Sequence, residues 1–249
     1  MSLTGTLAEV FSSFQGEGPL LGVRQLFVRL RGCDLTCRYC DTLTSRSGLG
    51  DLVVERQPGS DVWTTLPNPI TAPATADLVL GLLSALGPHH SISITGGEPL
   101  LQAEFLAQLL PELRAAGLKT YLDTACVHPE GMALVAECLD WVAADLKLPS
   151  TLTVPIDPKR FADCYSAIRH RRFVKVVLTS TVTPHELGQA CTLLHGLDPP
   201  AEVILQPVTA TREVGAPTVE QLFALAKVAA SFFPTCRVIP QCHPLLGVK

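Results

Sequence analysis

Residues 91–102 read SISITGGEPLLQ. A short β-branched run, a glycine pair and the first turn of an apolar-periodic stretch follow one another without a gap, the order of a parallel strand feeding a crossover helix. The same alternation recurs in both directions. Besides 91–95, candidate strands stand at 26–30, 119–123, 141–145, 173–179, 203–208 and 237–240. Helical periodicity runs over 76–86, 101–116, 130–139, 184–194 and 219–231. Thr183, Pro184 and Glu186 supply an N-cap hydroxyl, a first-turn proline and an N3 carboxylate, and Thr218 with Gln221 repeats the capping-box spacing. The class is therefore α/β. A closed barrel of eight units takes about 250 residues. Here residues 57–73 read as a Pro- and Thr-rich loop, and the residues before 21 precede any unit. A partial, open TIM-like barrel of about six parallel βα units is expected, as one domain over 1–249.

The chain has 249 residues, 47% hydrophobic and 17% charged, which is too apolar for disorder and long enough to bury a core without disulfides. No apolar run approaches the roughly 18 residues of a membrane span. MSLTGTLAEV at the start lacks the basic and apolar regions of a secretory signal, so a cytoplasmic protein is expected. A formal charge of -4 argues against nucleic acid as a partner. Nine cysteines, an odd number in a chain without an export signal, disfavour a disulfide framework. Cys126, Cys138, Cys164, Cys191, Cys236 and Cys242 are scattered and read as small core fillers.

The remaining three, Cys33, Cys37 and Cys40, fall in FVRLRGCDLTCRYCDT at 27–42, directly after a strand. Structural zinc usually takes four ligands, whereas a cubane iron–sulfur cluster held by three cysteines leaves one iron open to a small molecule. A zinc site completed by His89 or His90 stands as the alternative. His128, His170, His185 and His195 carry no assigned role.

The spacing CxxxCxxC, with Tyr39 just before the last cysteine, resembles the cluster motif of radical S-adenosylmethionine (SAM) enzymes, and GGEP at 96–99 resembles a second motif of that superfamily. The resemblance implies a [4Fe-4S] cluster on Cys33, Cys37 and Cys40, with the amino and carboxylate groups of SAM on the open iron. It also implies one-electron cleavage of SAM to a 5'-deoxyadenosyl radical that abstracts hydrogen, the protein orienting and shielding. Residues 11–42, through FQGEG, FVRxxGC and CDT, resemble more narrowly the 7-carboxy-7-deazaguanine synthase family. That family contracts 6-carboxy-5,6,7,8-tetrahydropterin (CPH4) to 7-carboxy-7-deazaguanine (CDG) with loss of ammonia. Hydrogen is taken from C6, and SAM is regenerated.

Carried over by position, the resemblance implies that Phe14, Gln15, Gly16, Glu17 and Thr95 contact the pterin and that Arg29 pairs with its carboxylate. His243, in a tail similar to the family's QxHxxxG ending, and Lys249 would reach the same substrate. Thr42 is implied to bind Mg²⁺ together with a substrate oxygen and waters. Tyr39, Gly97 and Glu98 are implied to lie at SAM. So are Asp123, where relatives have Glu, and Asp145, Leu146 and Lys147, where they have SPK. Gln206, Pro207, Val208 and Thr209 would meet the adenosine. The chain then divides into a substrate-binding segment 9–32, a cluster loop 33–42, a variable loop 46–73 and a closing tail 237–249. A flavodoxin or ferredoxin as electron donor and a homodimer are implied as well. Two other readings stay open: a glycyl-radical activating enzyme acting on a protein partner, and a non-enzymatic metal-binding or regulatory protein.

Overall fold

A computed structural model describes residues 2–60, 62–197 and 202–249; Asp61, inside the expected 57–73 loop, lies outside them. The N-terminal part holds β1 (Thr4–Gly5), β2 (Leu7–Phe14), β3 (Arg24–Leu30), α1 (Leu43–Arg46), β4 (Leu52–Glu55), β5 (Trp63–Leu66) and β6 (Ile70–Thr71). Strands and helices then alternate: α2 (Ala72–Leu86), β7 (Ser91–Gly96), α3 (Ala103–Ala115), β8 (Thr120–Thr124), α4 (Pro129–Val135), β9 (Trp141–Asp145) and α5 (Pro158–Ser166). They continue with β10 (Arg171–Leu178), α6 (Pro184–His195), β11 (Val203–Pro207), α7 (Val219–Phe232), β12 (Arg237–Val238) and α8 (His243–Leu246).

One large sheet has the order β12-β11-β10-β9-β8-β7-β3-β2-β4-β5. From β3 through β12 neighbouring strands are parallel. β2 is antiparallel to β3, β4 parallel to β2, and β5 antiparallel to β4. No β5–β12 pairing closes the sheet among the described residues.

Side chains alternate across a strand with period two, which separates the two faces. Leu26, Val28, Leu30, Ile92, Ile94, Leu122, Val142, Val174, Val176 and Leu205 lie against the helices in the main core. The other face carries Tyr121, Ala143, Phe173 and Ile204 as a smaller apolar cluster. Two residues further along the same strands stand Asp123, Asp145, Lys175 and Gln206. The parallel arrangement thus puts an apolar floor under a polar layer, and the polar layer lies toward the strands' C-terminal ends.

The structure adds to the local expectations at several points. The 57–73 stretch contains β5 and β6 and runs into α2, whose N-cap is Thr71. The residues before 21 hold β2, an added antiparallel strand whose alternation is broken by a register shift between Leu7 and Glu9. Thr218 and Gln221 form the full capping box, but at α6 only Thr183 caps. Glu186 instead accepts from Ser150 N and Ser150 Oγ, both at 2.7 Å, tying α6 to the segment after β9. α5, not among the expected helices, begins at Asp157-Pro158, an N-cap and first-turn proline of the same kind, and buries Phe161, Cys164 and Tyr165 at i, i+3, i+4 spacing over about two and a half turns.

Candidate active site

The cysteine loop leaves β3 and folds back on itself: Gly32 N donates to Ser45 O at 2.8 Å, and Arg46 Nη2 to Leu35 O at 2.8 Å. It is also stitched to residues 151–153, through Arg38 N to Thr151 O and Thr153 N to Thr36 O, both at 3.0 Å. Leu35, Ala125 and Val127 form an apolar shell against Cys33 and Cys37. Burial pushes the Cys33 thiol up to about 11 and also raises Cys37, so a metal binding there must displace tightly held protons. Among the described residues no set of three His, Cys, Asp or Glu side chains converges on a single ion. A cubane does not need such convergence, because its thiolates bind three separate corners.

The turn after β7 lies directly on this loop. Gly97 N donates to Leu30 O at 3.2 Å and Glu98 N to Gly32 O at 2.9 Å. Gly96 has φ +147, a conformation costly for other residues. Glu98 is 1% exposed, and its carboxylate is used inside the protein. Oε1 accepts from Leu100 N (3.0 Å) and Thr124 Oγ1 (2.6 Å), and Oε2 from Ala125 N (2.8 Å). Burial raises its pKa against the pull of those hydrogen bonds. Glu98 thereby splices the β7 turn to the end of β8.

Beneath lies the polar layer. Lys175 Nζ stands 2.6 Å from Glu17 Oε2, 3.3 Å from Asp145 Oδ2 and 3.5 Å from Asp123 Oδ1. Lys147 Nζ is 2.8 Å from Asp145 Oδ2 and donates to Tyr39 OH at 3.0 Å. Burial would raise the Glu17 carboxyl, but Lys175, Gln241 and His243 together bring it down to about 2. Burial opposes the charge on Lys175 and Lys147, and the neighbouring carboxylates overcome it, raising both well above the ordinary lysine range.

The tail closes one side. Cys242 N donates to Gly16 O at 2.9 Å, Gln241 Nε2 to Glu17 Oε1 at 3.1 Å, and Ser13 Oγ to Lys249 O at 2.8 Å. Glu9 bridges two cations, with Oε1 2.8 Å from Arg29 Nε and Oε2 2.5 Å from Lys249 Nζ. Lys249 Nζ also lies 4.0 Å over the Trp63 ring.

These parts line one cavity of about 420 Å³, within the usual range for small-molecule sites. It brings together Phe14, Gln15, Gly16, Glu17, Arg29, Cys33, Cys37, Tyr39, Cys40, Thr42, Thr95, Gly97, Glu98, Asp123, Asp145, Lys147, Gln206, His243 and Lys249, residues 14 to 249 in chain order. Leu146, Pro207, Val208 and Thr209 do not line it. Leu146 falls on the helix-facing side of the alternation, in the main core. Val208 packs with Val177 and Val214, Thr209 donates its N–H to Gln241 Oε1 at 3.1 Å, and Pro207 closes β11. Arg29, expected to meet a substrate carboxylate, has Glu9 as a partner. Thr42 stands at the N-cap of α1 without a side-chain capping bond, its Oγ1 3.8 Å from Cys40 Sγ. Sequence reasoning missed Lys175, whose signal was a lone cation in the apolar run 173–178, Gln241, whose signal was its place as the first residue of the QxHxxxG tail, and Glu9, which carried none.

His89 and His90 precede β7, at the end of the sheet opposite the cysteines. His89 bonds Ser12 Oγ and Gly87 O, each at 2.8 Å, and His90 N donates to Arg24 O at 2.8 Å at the start of β3. Neither reaches the thiols, so a zinc site completed by them is excluded.

A family model described as a 4Fe-4S single cluster domain matches residues 14–132. Among solved structures, QueE from Escherichia coli superposes with a TM-score of 0.62 at 20% identity, covering 96% of this chain and 94% of that one. A radical SAM methyltransferase from Sphaerobacter thermophilus gives 0.61 at 14% identity, over 94% and 77%. The mostly parallel sheet with a three-cysteine loop at the strand ends defines a protein of the radical SAM fold. The 7-carboxy-7-deazaguanine synthase of Geobacter sulfurreducens is 38% identical, covering 97% of this chain and 96% of that protein; that of Archaeoglobus fulgidus is 35% identical, over 99% and 100%. The chain belongs to the 7-carboxy-7-deazaguanine synthase family.

Proposed function

We propose that this chain converts CPH4 to CDG with loss of ammonia, as a radical SAM, Mg²⁺-dependent carbon–nitrogen lyase. The observation that carries the reading is one cavity joining the three-cysteine loop, the GGEP turn, the QGEG segment and the tail. The residues fit the absent groups. Three soft thiols sit on one loop, and Gln206 Oε1 and Asp145 Oδ1 are buried at the cavity without a hydrogen-bond partner among the described residues, open to the donors of a nucleoside or amino acid. Cys33, Cys37 and Cys40 would hold the [4Fe-4S] cluster, with Tyr39, Gly97, Asp123, Asp145, Lys147 and Gln206 around SAM. When bound, cluster and SAM supply one-electron chemistry that removes hydrogen from C6 of the substrate.

The chain's own groups bind and orient. Glu17, held ionised, accepts hydrogen bonds from the pterin ring, with Phe14, Gln15, Gly16, Thr95 and His243 around it. Arg29 and Lys249, already gathered by Glu9, present two cations to the substrate carboxylate. Thr42 gives Mg²⁺ its hydroxyl, held among the described residues only by the long 3.8 Å contact with Cys40 Sγ, the rest of the shell being substrate and water. The seven parallel strands read as the partial barrel of a single radical SAM domain. We also infer a flavodoxin or ferredoxin donor, a homodimer and a cytoplasmic setting, the last supported by nine free cysteines. No helix among the described residues is long and apolar enough to cross a membrane. A tail folded across the cavity favours a small molecule over the protein partner of a glycyl-radical activating enzyme.

The test is anaerobic turnover of iron-reconstituted protein with SAM, Mg²⁺, reductant and CPH4, following CDG by mass spectrometry, with Cys37→Ala as control. CDG that vanishes in the variant is expected. Formation of 5'-deoxyadenosine without CDG would overturn the pterin assignment.

A further inference from the structure

We propose that Lys175 is a positioning residue, which clamps Glu17 at the cavity floor so that its carboxylate meets the substrate as a fixed two-oxygen acceptor. The inference rests on the pterin reading above.

Lys175 side-chain atoms are 7% exposed, and its shortest contact is to Glu17, 158 positions away in sequence. Asp145 already has Lys147 at 2.8 Å, and Asp123 is the most distant of the three anions around Lys175 at 3.5 Å. The same strand face holds the loop at a second point. Two residues before Lys175, the Phe173 ring lies where a Cβ on Gly18 would fall, 2.6 Å away, and Gly18 has φ +64. β10 therefore fixes both the backbone of the QGEG segment and its charged side chain. From above, Glu17 N donates to Gln15 Oε1 at 3.1 Å, and Gln15 Nε2 donates to Gln25 Oε1 at 2.9 Å.

The carboxylate's remaining capacity then follows. Lys175 takes one lone pair of Oε2 and Gln241 one of Oε1, at 2.6 and 3.1 Å. One lone pair is left on each oxygen, a match for two parallel N–H donors such as the amino and ring N–H of a pterin. Without the ammonium, the buried carboxylate is free to rotate or take up a proton, and either change spoils that match.

The experiment measures the dissociation constant of CPH4 by anaerobic equilibrium dialysis against the SAM-loaded holoenzyme, with thermal melting as a folding control. Lys175→Met is expected to weaken binding at least about tenfold, as for loss of a charge-assisted hydrogen bond. Lys175→Arg, which keeps the cation, is expected to stay within about threefold. Because Lys175 acts through Glu17, Glu17→Gln/Lys175→Met should bind within about twofold of Glu17→Gln. If Lys175→Met does not fold, Asp123→Asn/Lys175→Met against Asp123→Asn makes the same comparison with one anion removed. Wild-type protein that does not bind CPH4 overturns the pterin reading and this inference with it. Wild-type binding with Lys175→Met unchanged, or with the two single effects multiplying in the double variant, overturns this inference alone.

Discussion

Gly97→Ala strikes the contact on which the site is assembled. The turn after β7 and the loop entering the cysteines lie backbone to backbone, and a Cβ on Gly97 would fall 2.1 Å from Gly32 O and 2.9 Å from Cys33 Cβ. Carbon–oxygen contacts between backbones stay at about 3.3 Å or more. The two segments must therefore part by about 1.2 Å, and the neighbouring Glu98 N to Gly32 O bond of 2.9 Å goes with them. Overpacking of this kind costs about 1–3 kcal/mol of stability, and a displacement of about 1 Å at a reacting centre costs on the order of a hundredfold in rate. The expected variant folds with a lowered denaturation midpoint, incorporates less iron and loses about two orders of magnitude in kcat/KM. Gly81→Ala on α2, where the added Cβ would meet no atom within 4 Å beyond its chain neighbours and its own helix backbone, is the control. It should hold or gain about 0.5–1 kcal/mol. Gly97→Ala protein with wild-type midpoint, iron content and kcat/KM would refute the claim that this close approach organises the site.

Two further outcomes follow from the same geometry. A Cβ on Gly16 would lie 2.7 Å from His243 N and Nδ1, so Gly16→Ala should push the tail outward. Steady-state kinetics is then expected to show KM for CPH4 raised about tenfold, an effect of about 1.4 kcal/mol, with the melting midpoint little changed; an unchanged KM would contradict the tail's part in the site. Glu17 falls from an ordinary 4.5 to about 2 on folding, so its stabilisation is complete above about pH 4.5 and is lost as pH falls toward 2. Denaturant titrations of wild type and Glu17→Gln should differ by an amount on the order of 3 kcal/mol at pH 7, and the gap should narrow below pH 4.5; a gap independent of pH would refute the ion pair.

Local signals were enough for the α/β alternation, because each βα unit carries its own period, caps and turn: SISITGGEP became β7 and its turn, and Thr218 with Gln221 became the cap of α7. The cysteine loop, GGEP and QGEG were likewise legible, since their residues are close in sequence. Strands added at the edge were not, because β2 and β5 owe their pairing to β3 and β4, and a pairing partner leaves no mark within a short segment. The site's electrostatics were equally hidden. That Glu9 gathers Arg29 and Lys249, 20 and 240 positions away, and that Lys175 meets Glu17 across 158, are facts of parallel register and of a tail folded back over the sheet. Sequence alone therefore determined the class of fold and the kinds of chemical group available, which depend on near neighbours. Only the tertiary structure decided which charges face one another, because that depends on which strand faces and loops the packed core brings within hydrogen-bonding distance.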